Sequence, residues 1–256
     1  MYAAPKGLWI CTTAPNRVEK GVFQFKEFTV RHDRCAMKVG TDGVLLGAWA
    51  FTGIGEESFH VLDVGSGSGV IALQLAQRFD RVQLLGLEID PAAAEQAQEN
   101  FENSPWSNRL SMLQQDAQDF VPEAGFDALV TNPPFYQENV SSGDPSRDQA
   151  RQLSSLPFEA LFGLADRSLK DGGRLALVSP ACEEEWIRSL ARKAGFGLRR
   201  FCRVRGHSTA RVKRLLWEFV KASEDAFEEE ELTLEVSRGE YTEEYRALVA
   251  SFYLKM

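Results

Sequence analysis

The sequence has few cysteines and lacks any long apolar run. Its four cysteines, Cys11, Cys35, Cys182 and Cys202, form no C-x-x-C pair. This spacing excludes a zinc ribbon, offers no disulfide framework and favours a reducing, cytoplasmic setting. No stretch approaches 18 consecutive apolar residues, so we expect no membrane-spanning helix. The 256 residues are 44% hydrophobic and 26% charged, which is typical of a globular chain rather than a disordered one.

Histidine is also scarce, and we expect no metal site. None of His32, His60 and His207 has a neighbour in sequence that indicates acid–base chemistry. No spacing of His, Cys, Asp or Glu matches a set of metal ligands. We interpret residues 1–21 as a loosely held extension that makes a poor signal peptide, and residues 22–256 as a single domain.

Acidic residues are missing from one long stretch, although the formal net charge is −8. The stretch from Arg188 to Arg214 holds ten of the 29 basic residues and no acidic one, which leaves 19 basic against 37 acidic residues elsewhere. A basic segment on an acidic body predicts a polyanionic partner, although a solvated surface is the alternative. The acidic segment 224–231 we interpret as a solvated face.

Apolar segments that predict strands alternate with amphipathic segments that predict helices. Strands are expected at 59–64, 82–89, 109–114, 126–131 and 173–179, and helices after Val70, after Asp90-Pro91, at 156–170 and at 182–194. Alternation of this kind predicts an α/β fold with a parallel sheet and helices on both faces. Runs at 198–205 and 214–220 predict a closing antiparallel hairpin, residues 136–154 a long loop, and the C-terminal residues a short helix.

The first strand and helix are joined by the glycine-rich turn Asp63-Val64-Gly65-Ser66-Gly67-Ser68-Gly69. Its spacing lacks the third glycine of the dinucleotide fingerprint. It resembles the S-adenosylmethionine loop of Rossmann-like methyltransferases. Glu88, at the end of the next strand, is placed to accept two ribose hydroxyls. Asp116 ends the third strand, where an acid can accept the adenine amine of the cofactor or cap the next short helix.

The fourth strand ends in Asn132-Pro133-Pro134-Phe135. Two prolines fix an extended backbone here. The Asn132 side-chain oxygen and the Pro133 carbonyl can then accept hydrogen bonds from one amine, beside the flat face of Phe135. These acceptors would stabilise the positive charge that develops on an exocyclic base amine as it attacks a methyl donor.

The tetrapeptide resembles that of the N-P-P-[FYW] amino-methyltransferases, and two further segments narrow the resemblance. The segment from Phe25 to Trp49, with Met37-Lys38-Val39-Gly40-Thr41-Asp42-Gly43, and the C-terminal Phe252-Tyr253-Leu254-Lys255-Met256 are similar to the bacterial tRNA1(Val) adenine-N6 methyltransferase family. That resemblance implies a Rossmann-like fold with a seven-stranded, mostly parallel sheet. It also implies methyl transfer to the adenine 3′ of the anticodon by a monomer that binds the anticodon stem-loop.

The resemblance also assigns site residues. It implies catalytic roles for Asn132, Pro133 and Phe135. It implies S-adenosylmethionine contacts by Lys38, Thr41, Asp42, Asp63, Gly65, Ser66, Gly67, Glu88, Ile89, Asp116, Ala117 and Asn132, while an N-cap formed by Thr41 or Asp42 is compatible with this. The basic stretch would supply RNA contacts by Arg199, Arg203, Arg205, Arg211 and Lys213. Strand alternation predicts that the first three share one face and that Arg200 points the other way.

Three other functions remain open. A guanine-N2 methyltransferase of ribosomal RNA uses the same tetrapeptide, and nothing in the motif distinguishes adenine from guanine. A glutamine-amide methyltransferase of a protein would need no basic stretch. A redox or non-catalytic nucleotide-binding protein would prefer NAD to S-adenosylhomocysteine.

Overall fold

The computed structural model describes residues 20–54, 58–134, 156–224 and 226–255. Nearly all of the predicted extension, Phe135 and the predicted loop 136–154 lie outside the described residues. No helix in these ranges is long and apolar enough to cross a membrane.

The centre of the molecule is a parallel sheet of five strands, β3 (Phe59–Val64), β4 (Val82–Glu88), β5 (Leu110–Gln114), β6 (Phe126–Thr131) and β7 (Leu169–Pro180). Their order in the sheet is β7-β6-β3-β4-β5. The chain moves outward from β3 to β5 and then returns to β6 on the other side of β3. The carboxyl ends of β3 and β6 therefore flank a crevice, the usual place for a ligand in such a sheet.

Helices cover both faces of this sheet, as predicted. Successive strand residues point to opposite faces, so Val61 packs among the helices of one face and Leu62 among those of the other. One face is covered by α1 (Thr41–Trp49), α2 (Val70–Arg78) and α6 (Glu243–Val249), and the other by α4 (Phe158–Ser168) and α5 (Glu184–Lys193).

Helix α3 (Pro91–Glu102) begins as its sequence predicts. Oδ1 of Asp90 accepts hydrogen bonds from the N–H groups of Ala92 and Ala93 at 2.8 and 3.0 Å. Pro91 occupies the first helical position, where its missing N–H is not needed. The predicted N-cap is confirmed, and it fixes the direction in which the chain leaves β4.

The antiparallel part is larger than the sequence indicated. The predicted hairpin is present as β8 (Phe196–His207) and β9 (Val212–Lys221), with β9 paired antiparallel to β7. Beyond β8 lie β10 (Glu228–Ser237), parallel to β8, and β11 (Glu240–Tyr241). The sheet in the described ranges has nine strands, so the expected number of seven is wrong.

The acidic segment becomes part of this sheet. Residues 228–231 pair with β8, whereas we interpreted them as a solvated face. The run of glutamates conceals the strand because none of them is apolar. The strand is held by its backbone pairing with β8, and ion pairs with Arg203 and Arg205 accompany this pairing. A hydrophobicity pattern detects neither.

The two ends of the described chain meet on one face. β1 (Val22–Gln24) and β2 (Thr29–Arg31) form a short hairpin, and Phe25 pairs with Tyr253 in an isolated bridge. The predicted terminal helix is α6, which buries Tyr245, and Phe252 beyond it is buried as well. This contact joins the β1–β2 hairpin to the C-terminal residues.

Candidate active site

The glycine-rich loop connects β3 to α2 at the carboxyl edge. Gly65 and Gly67 have φ values of 66° and 56°, in a region that residues with a Cβ rarely adopt. The N–H groups of Gly65 and Ser66 donate to the Leu87 carbonyl at 2.8 and 3.1 Å, which fixes the loop against β4. Apart from the chain neighbours of Gly65, no atom of the described residues lies within 4 Å of where its Cβ would be, so the loop leaves room for a ligand.

Asp63, at the end of β3, binds this loop through Ser66. It is 1% exposed, and its Oδ2 accepts a hydrogen bond from the Ser66 hydroxyl at 2.7 Å. Its buried Oδ1 has no hydrogen-bond partner within the described part of the chain. Burial raises the pKa of Asp63 to about 7, and the Ser66 hydrogen bond opposes that rise.

Glu88 joins the loop to the start of α3. Its Oε2 accepts the Gly67 N–H at 2.8 Å, and its Oε1 accepts the Asp90 N–H at 3.0 Å. Burial raises the pKa of Glu88, and these backbone hydrogen bonds partly offset the rise. A carboxylate oxygen can accept more than one hydrogen bond. Glu88 can therefore hold the loop and accept ligand hydroxyls at the same time.

A cavity of about 200 Å³ lies between the glycine-rich loop, the segment before α1 and the carboxyl ends of β4, β5 and β6. It brings together most of the sequence-predicted residues. Thr41, Asp42 and Asp63 do not line it. Those that do are Lys38, Gly65, Ser66, Gly67, Glu88, Ile89, Asp116, Ala117, Asn132 and Pro133.

Asp116 lies on the cavity wall after β5. Its Oδ1 accepts the Gln118 N–H at 2.8 Å, which closes a turn where we expected a short helix. Asp116 therefore caps a turn and not the short helix that we predicted. Its position on the cavity wall also allows it to accept a hydrogen bond from an amine of a ligand.

The segment between β2 and α1 covers one side of the cavity and is held by its own polar groups. Nζ of Lys38 donates to the carbonyls of His32, Asp33 and Cys35 at 2.7, 3.3 and 3.3 Å. Nδ1 of His32 accepts the Val39 N–H at 3.0 Å, and burial lowers the pKa of His32. Lys38 and His32 therefore stabilise the shape of this wall.

Two amides on α3, which we did not single out from the sequence, fasten the same wall. Oε1 of Gln96 accepts the Arg34 N–H at 2.9 Å. Asn100 accepts the Arg31 N–H at 2.9 Å and donates to the carbonyls of Arg31 and Ser68 at 2.8 and 2.9 Å. Both side chains are buried. The sequence does contain a signal for them, because two amides four residues apart lie on one face of a helix that is otherwise apolar. Buried amides require hydrogen-bond partners, so such a pair indicates contacts with another segment.

Asn132 follows β6 directly. Oγ1 of Thr131 donates to the Val64 carbonyl at 2.8 Å, which ties the ends of β6 and β3 together. Oδ1 of Asn132 is buried and has no hydrogen-bond partner among the described residues. Leaving a buried acceptor unpaired costs about 1–3 kcal/mol. A donor that enters the cavity would satisfy it.

Helix α1 begins at Thr41, with Gly40 as its N-cap. The expectation that Thr41 or Asp42 forms the N-cap is wrong, because the backbone becomes helical one residue earlier than such a cap requires. The Asp42 carboxylate instead accepts a hydrogen bond from Nε of Arg214 at 2.8 Å.

Several arginines of the basic stretch are paired with acids from other elements. Arg203 binds Glu184 at 2.7 Å and Glu229 at 2.8 Å, and Arg205 binds Glu231 at 2.9 Å. Glu184 belongs to α5, and the other two belong to β10. Much of the positive charge that the sequence shows is therefore neutralised in the fold.

Arg199 does not share a face with Arg203 and Arg205. Nε of Arg199 lies 3.2 Å from the buried carboxylate of Glu218, and Arg200 approaches the same carboxylate at 4.0 Å. The predicted alternation is wrong for Arg199 because the register of β8 against β9 shifts there. A bulge adds one residue and brings two neighbouring side chains to the same partner. The alternation is confirmed for Arg200, which points away from Arg203 and Arg205.

Arg211 and Lys213 differ from these arginines. Both are exposed, and their side chains have no ion-pair partner in the described ranges. The start of β9 pairs with the end of β7, where Arg214 lies opposite Pro180. This cationic hairpin end, Arg211 and Lys213, therefore lies at the same sheet edge as Asn132. No group of three or more His, Cys, Asp or Glu in the described part of the chain is arranged to hold a metal.

The chain matches the family model of the methyltransferase small domain over residues 50–184. A solved structure of a predicted O-methyltransferase from Agrobacterium tumefaciens superposes with a TM-score of 0.67 at 19% identity. It covers 82% of this chain and 96% of its own. At that identity the likeness concerns the fold.

Relatives of higher identity match nearly the whole chain. A tRNA1(Val) (adenine(37)-N6)-methyltransferase from Flavobacterium psychrophilum is 46% identical over 92% of this chain and all of its own. An enzyme of the same name from Serratia proteamaculans is 39% identical over 92% of this chain and 90% of its own. With the cavity, the glycine-rich loop and Asn132 in place, these matches show that the chain belongs to the tRNA1(Val) (adenine(37)-N6)-methyltransferase family.

Proposed function

We propose that this protein transfers a methyl group from S-adenosylmethionine to N6 of adenine 37 in tRNA1(Val), the adenine 3′ of the anticodon. The observation that carries the proposal is the buried, unpaired Oδ1 of Asn132 in a cavity that adjoins the glycine-rich loop. We further propose that residues 22–256 act as one catalytic domain and that the protein is a cytoplasmic monomer.

The cavity suits the methyl donor. Glu88 would accept hydrogen bonds from the ribose hydroxyls, and Asp116, beside Ala117, would accept one from the adenine amine. The loop at Gly65 and Gly67 leaves space for the methionine part of the cofactor. Ile89 adds apolar surface. Lys38 and Asp63 would act indirectly, through the wall and the loop that they hold. When bound, S-adenosylmethionine supplies a methyl group activated by a sulfonium.

Asn132 would act on the acceptor base. The N6 amine of adenine is a poor nucleophile because its lone pair is delocalised into the ring. Oδ1 of Asn132, with the Pro133 carbonyl as a second acceptor, would bind the amine hydrogens and stabilise the positive charge of the transition state. Holding the amine in line with the methyl group lowers the barrier further. The amine nitrogen would bond to the methyl carbon as the carbon–sulfur bond breaks and S-adenosylhomocysteine leaves. The methylated amine would then lose its extra proton to water, so no strong base is needed. Phe135 is proposed as the stacking surface for the base.

The tRNA would approach along the carboxyl edge of the sheet. A base in an anticodon loop is already unpaired, so turning it into the cavity costs less than in a duplex. Arg211 and Lys213 would bind phosphates next to the cavity. Arg199, Arg203 and Arg205 are held by acids, so we assign them a smaller share of the RNA contacts than their number indicates.

The test is identification of the methylated product. The purified protein, with S-adenosylmethionine labelled in its methyl group, is incubated separately with tRNA1(Val), ribosomal RNA and a protein extract. Mass spectrometry of the digests should show N6-methyladenosine from tRNA1(Val) alone, and replacing adenine 37 with guanine should abolish the label. N2-methylguanosine from ribosomal RNA, or methylated glutamine, would contradict the proposal and identify the rival activity.

A further inference from the structure

We propose that Arg214 is a positioning residue for the transfer step, because its ion pair with Asp42 holds the first turn of α1 against Asn132. Neither member of this pair lines the cavity. The inference rests on the proposed function only in that methyl transfer serves as one of its two readouts.

The ion pair bridges the antiparallel hairpin and the helix that overlies the cavity. Arg214 lies near the start of β9, opposite Pro180 at the end of β7. Its Nε donates to Oδ2 of Asp42 at 2.8 Å, and the two side chains are only 18% and 29% exposed. A charge-assisted hydrogen bond with this degree of shielding is stronger than an exposed surface pair.

The buried residues Gly43 and Val44 pack the start of α1 into the core, but the end of the helix lacks a side-chain cap. Its N-cap, Gly40, has no side chain and makes no capping hydrogen bond. The first backbone hydrogen bond of the helix runs from the Val44 N–H to the Gly40 carbonyl at 3.2 Å. An acid at Asp42 is also favoured by the helix dipole. The pair with Arg214 does not satisfy the N–H groups that a cap would bind, but it ties the first turn of α1 to β9.

This turn lies next to Asn132, the proposed acceptor of the substrate amine. A Cβ at Gly43 would lie 3.6 Å from Nδ2 of Asn132, at ordinary contact distance. Gly40 and Gly43 both line the cavity. Fraying of the first turn would remove one side of the Asn132 environment. Because transfer depends on the orientation of the acceptor, a small displacement costs rate more than affinity.

The experiment compares Arg214→Ala, Asp42→Ala and the double variant with wild type. Each single variant should lower kcat roughly 10- to 100-fold, while the Kd for S-adenosylhomocysteine and the Kd for tRNA stay within about threefold. Residues that act as a unit are not additive, so the double variant should lose no more than either single one. Arg214→Lys should recover part of kcat. Arg238→Ala, which removes an exposed arginine on the turn between β10 and β11, is the matched control.

A second readout needs no RNA. Hydrogen exchange of the Val44 amide should accelerate in Arg214→Ala and in Asp42→Ala, but not in the control. An unchanged kcat, additive losses in the double variant, or unchanged exchange would each overturn the role of the pair. If wild type methylates a different acceptor, the proposed function fails, and the same comparison made on that acceptor still decides the role of Arg214.

Discussion

The carboxylate of Glu88 accepts the backbone N–H of Gly67 at 2.8 Å. An acid at the end of one strand thereby holds the glycine-rich turn that leaves the neighbouring strand. The two strongest signals for the methyl-donor site are thus joined by a hydrogen bond before any ligand binds. Loss of the acid should affect both the ligand contacts and the shape of the loop.

Replacing Glu88 tests this double role. Glu88→Ala should weaken binding of S-adenosylhomocysteine by roughly 1.5–3 kcal/mol, because hydrogen bonds to a charged group are lost. Glu88→Gln keeps one carbonyl oxygen as an acceptor and should lose less. Isothermal titration calorimetry measures both. An unchanged Kd in Glu88→Ala would show that the methyl donor binds elsewhere.

Asp63 should make the stability of the ligand-free protein depend on pH. Burial raises its pKa to about 7 from an ordinary value of 3.8, so the folded state retains a proton that the unfolded chain releases. Its contribution is therefore fully present below pH 4 and is lost as the pH rises to about 7, at about 1.4 kcal/mol per pH unit.

Urea unfolding of wild type and Asp63→Asn between pH 4 and pH 8 measures this effect. The free energy of unfolding of wild type should fall relative to that of Asp63→Asn up to about pH 7 and then run parallel to it. A difference that stays constant over the whole range would mean that Asp63 is ionised in the folded state.

The cationic hairpin end should dominate the salt dependence of RNA binding. If Arg211 and Lys213 each contact one phosphate, each Ala substitution should flatten the plot of log affinity against log salt by about 0.7–0.9. The affinity for S-adenosylhomocysteine should not change. Arg238→Ala serves as the control and should keep the wild-type slope. Wild-type slopes for both Arg211→Ala and Lys213→Ala would place the RNA on another surface.

Strand β10 should restrain RNA binding by neutralising β8. In the double variant Glu229→Gln and Glu231→Gln, Arg205 loses its ionised partner and becomes available to phosphates, whereas Arg203 keeps its ion pair with Glu184. Affinity for unrelated RNA should increase, and the salt slope should steepen by up to about 0.7–0.9 for the released arginine. Filter binding of RNA at several salt concentrations measures this slope. A slope equal to that of wild type would show that the glutamates of β10 do not limit RNA binding.

Sequence patterns were sufficient for the parts of the fold that local chemistry determines. The alternation of apolar and amphipathic segments predicted the five parallel strands and their helices. Asp90 and Pro91 located the start of α3, and the ends of the apolar strands placed Glu88 and Asn132 at the carboxyl edge of the sheet. These features depend on residues close together in the chain.

Long-range charge pairing was not predictable in the same way. Arg203 and Glu229 are 26 residues apart, and Asp42 and Arg214 are 172 residues apart. A charge in isolation indicates a solvated side chain, so the acidic strand looked like a surface and the arginines looked free. The bulge at Arg199 likewise has no signal in the residue pattern, because it depends on pairing with β9.

The rate of methyl transfer by Asn132→Ala decides whether Asn132 acts on the acceptor amine. Single-turnover transfer to tRNA1(Val), measured beside calorimetric binding of S-adenosylhomocysteine, should fall at least about 100-fold because one transition-state hydrogen-bonding group is lost. The Kd for S-adenosylhomocysteine should remain near the wild-type value, since Asn132 acts on the acceptor base. A variant that keeps more than a tenth of the wild-type rate would contradict the account and remove Asn132 from the mechanism.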